Sequence, residues 1–228
     1  MLTAQSSPLT LPLLLTVCVT ALTVAGGSPR QDATSGSRQT AARQPVYFPP
    51  GQTSTPINYY VLTSFEEPSL FEAAKDARAV SYRATFFAPV TSWKLAVLLV
   101  VNPDGSGQIS SSTSSYRARE ISRIQTSVSA EDVEKFLQLV EKEGFWQMPS
   151  REEHTEQKTD AKGRKAYVLD GSMWMLEGVH NGSFHFVYRG NPDPNPILAM
   201  ACYLAKDLAK PADPAFSMPR CASGGKAN

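Results

Sequence analysis

Charge in excess is what this sequence lacks most. Its 22 basic and 21 acidic residues leave a net charge of +1, and charged residues make up only 19% of the chain. That balance removes the electrostatic reason to expect a nucleic acid, an anionic membrane surface or a polyanionic substrate as partner. The nearest approach to a basic stripe is Arg117, Arg119 and Arg123, interrupted by Glu120, and it reads as a solvated strand or loop. Histidine and cysteine are scarce, at three residues each. His154, His180 and His185 match no metal-ligand spacing with a carboxylate or thiol, so neither a metal site nor a cofactor is expected. No phosphate loop and no Gly-x-Ser-x-Gly element occurs, and the serines from Ser110 to Ser115 read as the solvent side of a strand.

Apolar residues are plentiful, at 42% of the chain, and one block of them stands apart. Leu9 to Ala25 is uncharged and rich in Leu and Val, and a polar segment follows at once. This is the pattern of a secretory signal peptide over residues 1–25, with cleavage expected after Ala25, where Thr23-Val24-Ala25 supplies small residues. No Lys or Arg precedes the run, and its length lies at the short edge of a bilayer span. An uncleaved anchor is therefore the alternative, and only in that case is a membrane a partner; Pro12 and the short run favour cleavage. Cys18 is not expected to carry a lipid, because Val17 stands where a lipobox has a small residue and the run continues to Val24. Residues 26–56 are rich in Ser, Thr, Gln, Ala, Gly and Pro, a composition that cannot offset chain entropy by burial and predicts a disordered linker.

Residues 57–212 are expected to form a single α+β domain, followed by a flexible tail over 213–228. Ile57 to Leu62 reads as a first strand and Glu66 to Ala74 as a short helix. Val80, Tyr82, Ala84 and Phe86 alternate with Ser81, Arg83 and Thr85, the period of a half-buried strand. Trp93 to Val101 is almost wholly apolar, as a strand covered on both faces would be. After the turn residues Asn102 to Gly107, a Ser-rich strand from Gln108 to Tyr116 is placed at a sheet edge, with another strand over Ile121 to Val128. Ser129 caps a helix whose inner face is Val133, Phe136, Leu137 and Val140 and which ends at Gly144. Phe145, Trp146 and Met148 then fold back on the core, and Arg151 to Lys165 reads as an exposed loop. A last helix begins at Asn195-Pro196, with Ile197, Met200, Ala201, Leu204 and Leu208 inward, and ends by Pro211. Strands and helices do not alternate as βαβ units, so the expected fold is α+β, a mainly antiparallel sheet with two principal helices packed on it.

The segment from Tyr167 to Arg189 is a hairpin about Asn181-Gly182. A two-residue loop pairs His180 with Ser183, Gly178 with His185, Leu176 with Val187 and Trp174 with Arg189. One face then carries Trp174, Leu176, His185, Val187 and Arg189; the other carries Met175, Glu177, Val179, Phe184, Phe186 and Tyr188. The run Trp174-Met175-Leu176-Glu177-Gly178, then Asn181-Gly182, then His185, Val187 and Arg189, resembles a motif of uncharacterised exported bacterial proteins. In those proteins a helix ending in Gly-Phe-Trp precedes the motif, as Gly144-Phe145-Trp146 does here, and a Cys-containing helix follows. The resemblance covers residues 79 to 210 and implies a fold and an exported, periplasmic or secreted location, but no activity. This chain departs from the pattern after Arg189, where Gly190 to Pro196 replaces a single Ser-Pro.

Candidate chemistry centres on this hairpin. Glu177, beside apolar Met175 and Phe186, has the setting of a general acid or base with a raised pKa. His185 would be a second proton carrier, and Arg189 and Asp170 complete the group. Yet the pairing puts Glu177 and His185 on opposite faces, which is wrong for one reaction centre. The structural alternative is a Glu177 satisfied by a buried hydroxyl or cation, a core His185, and an Arg189 stacked on Trp174 with its guanidinium partly solvated. After export, Cys202 and Cys221 either form one disulfide or remain a buried thiol and a free one in the tail. Two functions follow: a non-catalytic exported domain that binds a protein, peptide or envelope component, and a small hydrolase with Glu177 and His185 at its site.

Overall fold

The computed structural model describes residues 45–52, 56–114, 120–151, 171–190, 196–209 and 221. The elements are α1 (Pro56–Ser64), α2 (Leu70–Ala73), β1 (Ser81–Ala88), β2 (Trp93–Val101), β3 (Gly107–Ser114), β4 (Ser122–Val128), α3 (Ala130–Lys142), β5 (Met173–His180), β6 (Ser183–Gly190) and α4 (Pro196–Cys202). The strands form one six-stranded sheet in the order β4-β3-β2-β1-β5-β6, with every neighbouring pair antiparallel. The fold is thus α+β. β1 to β4 form a meander, and β5 returns to the free side of β1, so β1 lies in the interior of the sheet with a partner on each side.

The hairpin folds as its turn chemistry dictates. Asn181 and Gly182 both adopt positive φ, 51° and 72°, the conformation a two-residue loop needs to match strand twist. The register is Trp174 with Arg189, Leu176 with Val187, Gly178 with His185 and His180 with Ser183. The outer side of β6 is itself met by the chain after α3: Tyr188 N–H donates to the Ser150 carbonyl at 2.8 Å, and Arg151 bridges to Tyr188.

The first face of the sheet carries the larger core. Tyr82, Ala84 and Phe86 of β1, Leu95, Val97 and Leu99 of β2, and Trp174 and Leu176 of β5 pack against the helices. Helix α3 contributes Val133, Phe136 and Val140, the spacing of one helical stripe, and Ser129 caps it by accepting from the Asp132 N–H. Gly144 ends it at φ 66°, and Phe145 turns into the core in a 3₁₀ turn, Phe145–Gln147. Ile197, Met200 and Ala201 of α4 cover the other part of this face, and α4 continues as a π-helical stretch, Tyr203–Leu208, that buries Leu204, Ala205 and Leu208.

The second face is covered as well, by α1, α2 and residues 45–52. Its apolar contacts fall into three small groups: Tyr47, Phe48, Leu62, Met175 and Phe186; Val61, Phe65 and Ala96; and Leu70, Leu98 and Val179. Four expectations are corrected here. Ile57 to Leu62 is helical, because the buried residues Asn58, Val61, Leu62 and Phe65 recur at three and four. The second helix is confined to Leu70–Ala73, capped by Ser69, because Glu66 in the left-handed region closes α1 just before it. The Ser-rich strand β3 is internal, and β4 takes the edge; Ser111 and Ser112 are buried, small enough to fit under the covering layers. The linker expected over residues 26–56 ends sooner, since Tyr47 and Phe48 give residues 45–52 apolar side chains to bury. The signal segment, residues 26–44 and the tail apart from Cys221 lie outside the described residues.

Candidate functional site

Alternation along β1 turns Ser81, Arg83 and Thr85 toward the second face, and the layer above leaves all three buried. Arg83 is 0% exposed and faces Glu177 across the β1–β5 ladder, also 0% exposed. Its Nε and Nη2 each donate to one carboxylate oxygen of Glu177 at 2.7 Å, a bidentate pair. Nη1 donates to the Pro68 carbonyl at 2.6 Å and stands 3.8 Å from Oε2 of Glu67. Glu67, only 8% exposed, accepts from the Ser112 hydroxyl at 3.2 Å. Two carboxylates therefore share one guanidinium under a closed layer.

The turn that delivers Glu67 has a clear local cause. The Glu67 N–H donates to the Leu62 carbonyl at 2.9 Å and the Glu66 N–H to Thr63 at 3.2 Å, the reciprocal pair of a Schellman cap. Such a cap requires a left-handed residue, here Glu66 at φ 54°. Arg123 of β4 steadies it by donating to the Phe65 carbonyl at 2.7 Å. Residues 45–48 are fastened to the same turn: Tyr47 donates its hydroxyl to the Glu67 carbonyl at 2.9 Å, and Ser69 donates to the Val46 carbonyl. Burial pushes the Glu67 carboxyl above the usual carboxylate range, opposed by Arg83 and by the Ser112 hydrogen bond. Burial likewise raises the Tyr47 phenol.

The candidate residues of the hairpin are thus placed apart. Glu177 pairs with Phe186 and lies on the second face; His185 pairs with Gly178 and lies on the first. The His185 ring packs edge-on against Phe145 at 5.0 Å and tilted against Trp146 at 6.0 Å. Burial pushes its pKa below the usual value, partly offset by hydrogen bonds to the backbone of Met148 and Phe145. Close by, burial pushes the Tyr82 hydroxyl up to about 12, against a hydrogen bond with Trp146. Arg189 is only 5% exposed, and the expected partly solvated guanidinium is corrected. It donates to the carbonyls of Tyr188 at 2.7 Å and Pro149 at 3.0 Å, which replace water as its partners. The Trp174 indole packs tilted against Phe86, with ring centroids 4.6 Å apart.

Asp170, the loop after Arg151, and Arg117 and Arg119 fall outside the described residues. Cys202 and Cys221 form a disulfide with Cα atoms 5.5 Å apart, and Lys206 Nζ donates to the Cys221 carbonyl at 2.9 Å. Among the described residues no group of three or more His, Cys, Asp or Glu side chains could hold a metal ion, and no helix is long and apolar enough to cross a membrane.

Chemically, the Arg83–Glu177 arrangement suits cohesion rather than turnover. Both oxygens of Glu177 are engaged by the guanidinium, and neither residue is reached by solvent. Sequence reasoning missed Arg83, Glu67, Ser112 and Tyr47. The signal was Arg83 itself: a charge in a strand next to one apolar on both faces needs a buried counter-charge. Comparison with protein-family models finds no match, and comparisons with curated proteins and with solved structures find none either.

Proposed function

We propose that this chain is an exported, non-catalytic domain that binds a protein, peptide or envelope component outside the cytoplasm. The observation that carries the non-catalytic reading is the separation of Glu177 from His185 by the thickness of the sheet, with Glu177 fully engaged by Arg83. A general acid and base must meet one substrate, and these two cannot. The uncharged run Leu9 to Ala25 and the likeness of the hairpin motif to exported bacterial proteins support a periplasmic or secreted location. The disulfide between Cys202 and Cys221 fits an oxidising compartment.

Two experiments test this reading. The full chain expressed with a periplasmic-activity reporter at its C-terminus should yield active reporter and a mature N-terminus near Gly26; an inactive reporter on a chain beginning at Met1 would count against export. Purified protein should show no turnover of chromogenic ester, peptide, phosphate or glycoside substrates. Turnover that disappears in both Glu177→Gln and His185→Gln would replace the binding reading with a small hydrolase.

A further inference from the structure

Among the described residues, the polar cluster under the second face holds two carboxylates and one cation. Arg83 directs three of its five N–H donors to Glu177 and the Pro68 carbonyl, and none reaches Glu67 within hydrogen-bond distance; Glu67 has an ion-pair contact at 3.8 Å and one hydroxyl at 3.2 Å. An ionised Glu67 makes the cluster net negative in a desolvated layer, where an incompletely paired charge is costly. The other described groups around it do not cancel that charge. Glu177 of β5 adds a like charge, Ser112 of β3 is neutral, and the Tyr47 hydroxyl is spent on the backbone carbonyl. Tyr59 of α1 packs edge-on against Tyr47. Arg123 of β4 donates to the Phe65 carbonyl and pairs with exposed Glu66 at 3.7 Å, acting on Glu67 only at longer range. Lys94 of β2 is directed to Ser64 and the Tyr60 ring.

The same turn is where the N-terminal strap is fastened. Tyr47 holds the Glu67 carbonyl, Ser69 holds the Val46 carbonyl, and Tyr47 and Phe48 lie on Leu62, Met175 and Phe186. Glu67, 8% exposed in the closed structure, gains full access to water when the turn opens, and opening breaks both ties. The turn also sits near its conformational limit, because Glu66 holds a left-handed conformation without being glycine.

We propose that the Phe65–Ser69 turn is a proton-operated latch: with Glu67 neutral, residues 45–48 are held on the sheet, and with Glu67 ionised the strap is released from the apolar face of Leu62, Met175 and Phe186. The device stands whatever the domain binds. The raised pKa of Glu67 agrees in sign, because a closed state with the higher pKa takes up the proton more readily than the open one. The closed strap is therefore fully favoured at acid pH and lost as pH rises through the pKa of the closed state.

Hydrogen exchange of the purified full chain, followed by mass spectrometry between about pH 5 and pH 8, tests the latch. Exchange at Val46, Tyr47 and Phe48 in the wild type is divided by that of Glu67→Gln at the same pH, which cancels the intrinsic chemistry. The ratio should be near one at the acid end and rise several-fold at the alkaline end. Ser112→Ala, which removes a hydrogen bond favouring the ionised carboxyl, should shift the rise to higher pH. A ratio that stays constant across the range, or a variant whose strap exchanges faster than the wild type at the alkaline end, overturns the proposal. Should Glu67→Gln fail to fold, the wild-type strap referred to the Leu95–Leu99 amides, each corrected for intrinsic rate, decides the same question: a rise with pH supports the latch and a flat profile overturns it.

Discussion

Arg83 and Glu177 occupy opposed positions on β1 and β5 and exchange two parallel hydrogen bonds of 2.7 Å with no exposure to solvent. The pair ties an interior strand of the meander to the hairpin that closes the sheet. Its value lies in pairing: each charge alone would be stranded in the interior. Removing one partner of such a pair costs about 3–5 kcal/mol, whereas replacing both by apolar residues of similar volume is often neutral.

Glu177→Gln should therefore lower stability by up to about 3 kcal/mol, since the amide keeps one oxygen for Arg83 but ends the bidentate ion pair and leaves the guanidinium only the longer contact with Glu67 at 3.8 Å. Combining Arg83→Met and Glu177→Met with Glu67→Gln should recover most of that loss, because no charge remains in this cluster. Chemical denaturation of the wild type and both variants measures the effect. Binding to any identified partner should survive Glu177→Gln. Unchanged stability with lost binding or turnover would make the hairpin the functional site.

Gly178 is set by space. A Cβ there would stand 2.7 Å from Cε1 of Phe145 and 3.0 Å from Cε1 of Tyr82, both in the first-face core. Gly178→Ala should destabilise by about 1–3 kcal/mol, the range for overpacking a filled core. The shift should shrink in a Phe145→Leu background, which gives the methyl room. Thermal unfolding of the single and double variants would reveal that coupling.

The uneven legibility of this fold in its sequence has physical causes. The Asn181-Gly182 hairpin, the Ser129-capped helix and the inward residues of α4 could all be read, because turn chemistry, capping and periodicity act over a few residues. Helix α1 could not, because Tyr59, Tyr60 and Val61 favour strands locally, and the helical period emerges only when Phe65 joins Asn58 and Leu62. The partner of Glu177 could be named only as a buried hydroxyl or cation. Arg83 lies 94 residues away, and nothing local encodes that β5 returns to β1. Glu67 depended further on an uncommon left-handed glutamate that sequence pattern does not announce.

That glutamate offers its own test. A non-glycine residue held in the left-handed region costs roughly 1–2 kcal/mol, and glycine there is relieved of it at an entropic cost of about 0.5–1 kcal/mol. The ion pair of Glu66 with Arg123 is exposed and adds little. Glu66→Gly should be neutral to stabilising by up to about 1 kcal/mol, while Glu66→Val, β-branched in the same conformation, should destabilise. The ranking of melting temperatures, Gly at or above wild type and Val below, is the measurement.

The Cys202–Cys221 bond closes a segment of 19 residues in sequence separation and brings Cys221 into the first-face core. In the chain-entropy model a loop of this size contributes about 3 kcal/mol. Cys202→Ser with Cys221→Ser should lose an amount of that order, and reducing agent should lower the melting temperature of the wild type but not of the variant. Equal melting temperatures with and without reductant in the wild type would show that the bond adds nothing to stability.

His185 and Glu67 should give the domain opposing pH responses. Burial holds the folded-state pKa of His185 below its usual value, so the unfolded chain takes up the proton more readily. Its contribution is present above about pH 6.5, the unfolded value, and is lost as pH falls through the folded one. Glu67 has its folded pKa raised from a carboxylate's 4.5, so its contribution is present below that value and lost as pH rises. The Glu67 window opens upward from 4.5 and the His185 window downward from about 6.5, with opposite signs. Single variants separate them. His185→Gln should leave the Glu67 response alone, so that stability rises as the medium is acidified through its window. Glu67→Gln should leave that of His185, so that stability falls on acidification. Melting curves at a series of pH values decide it, and two variants with the same slope as the wild type would remove both groups from the pH response.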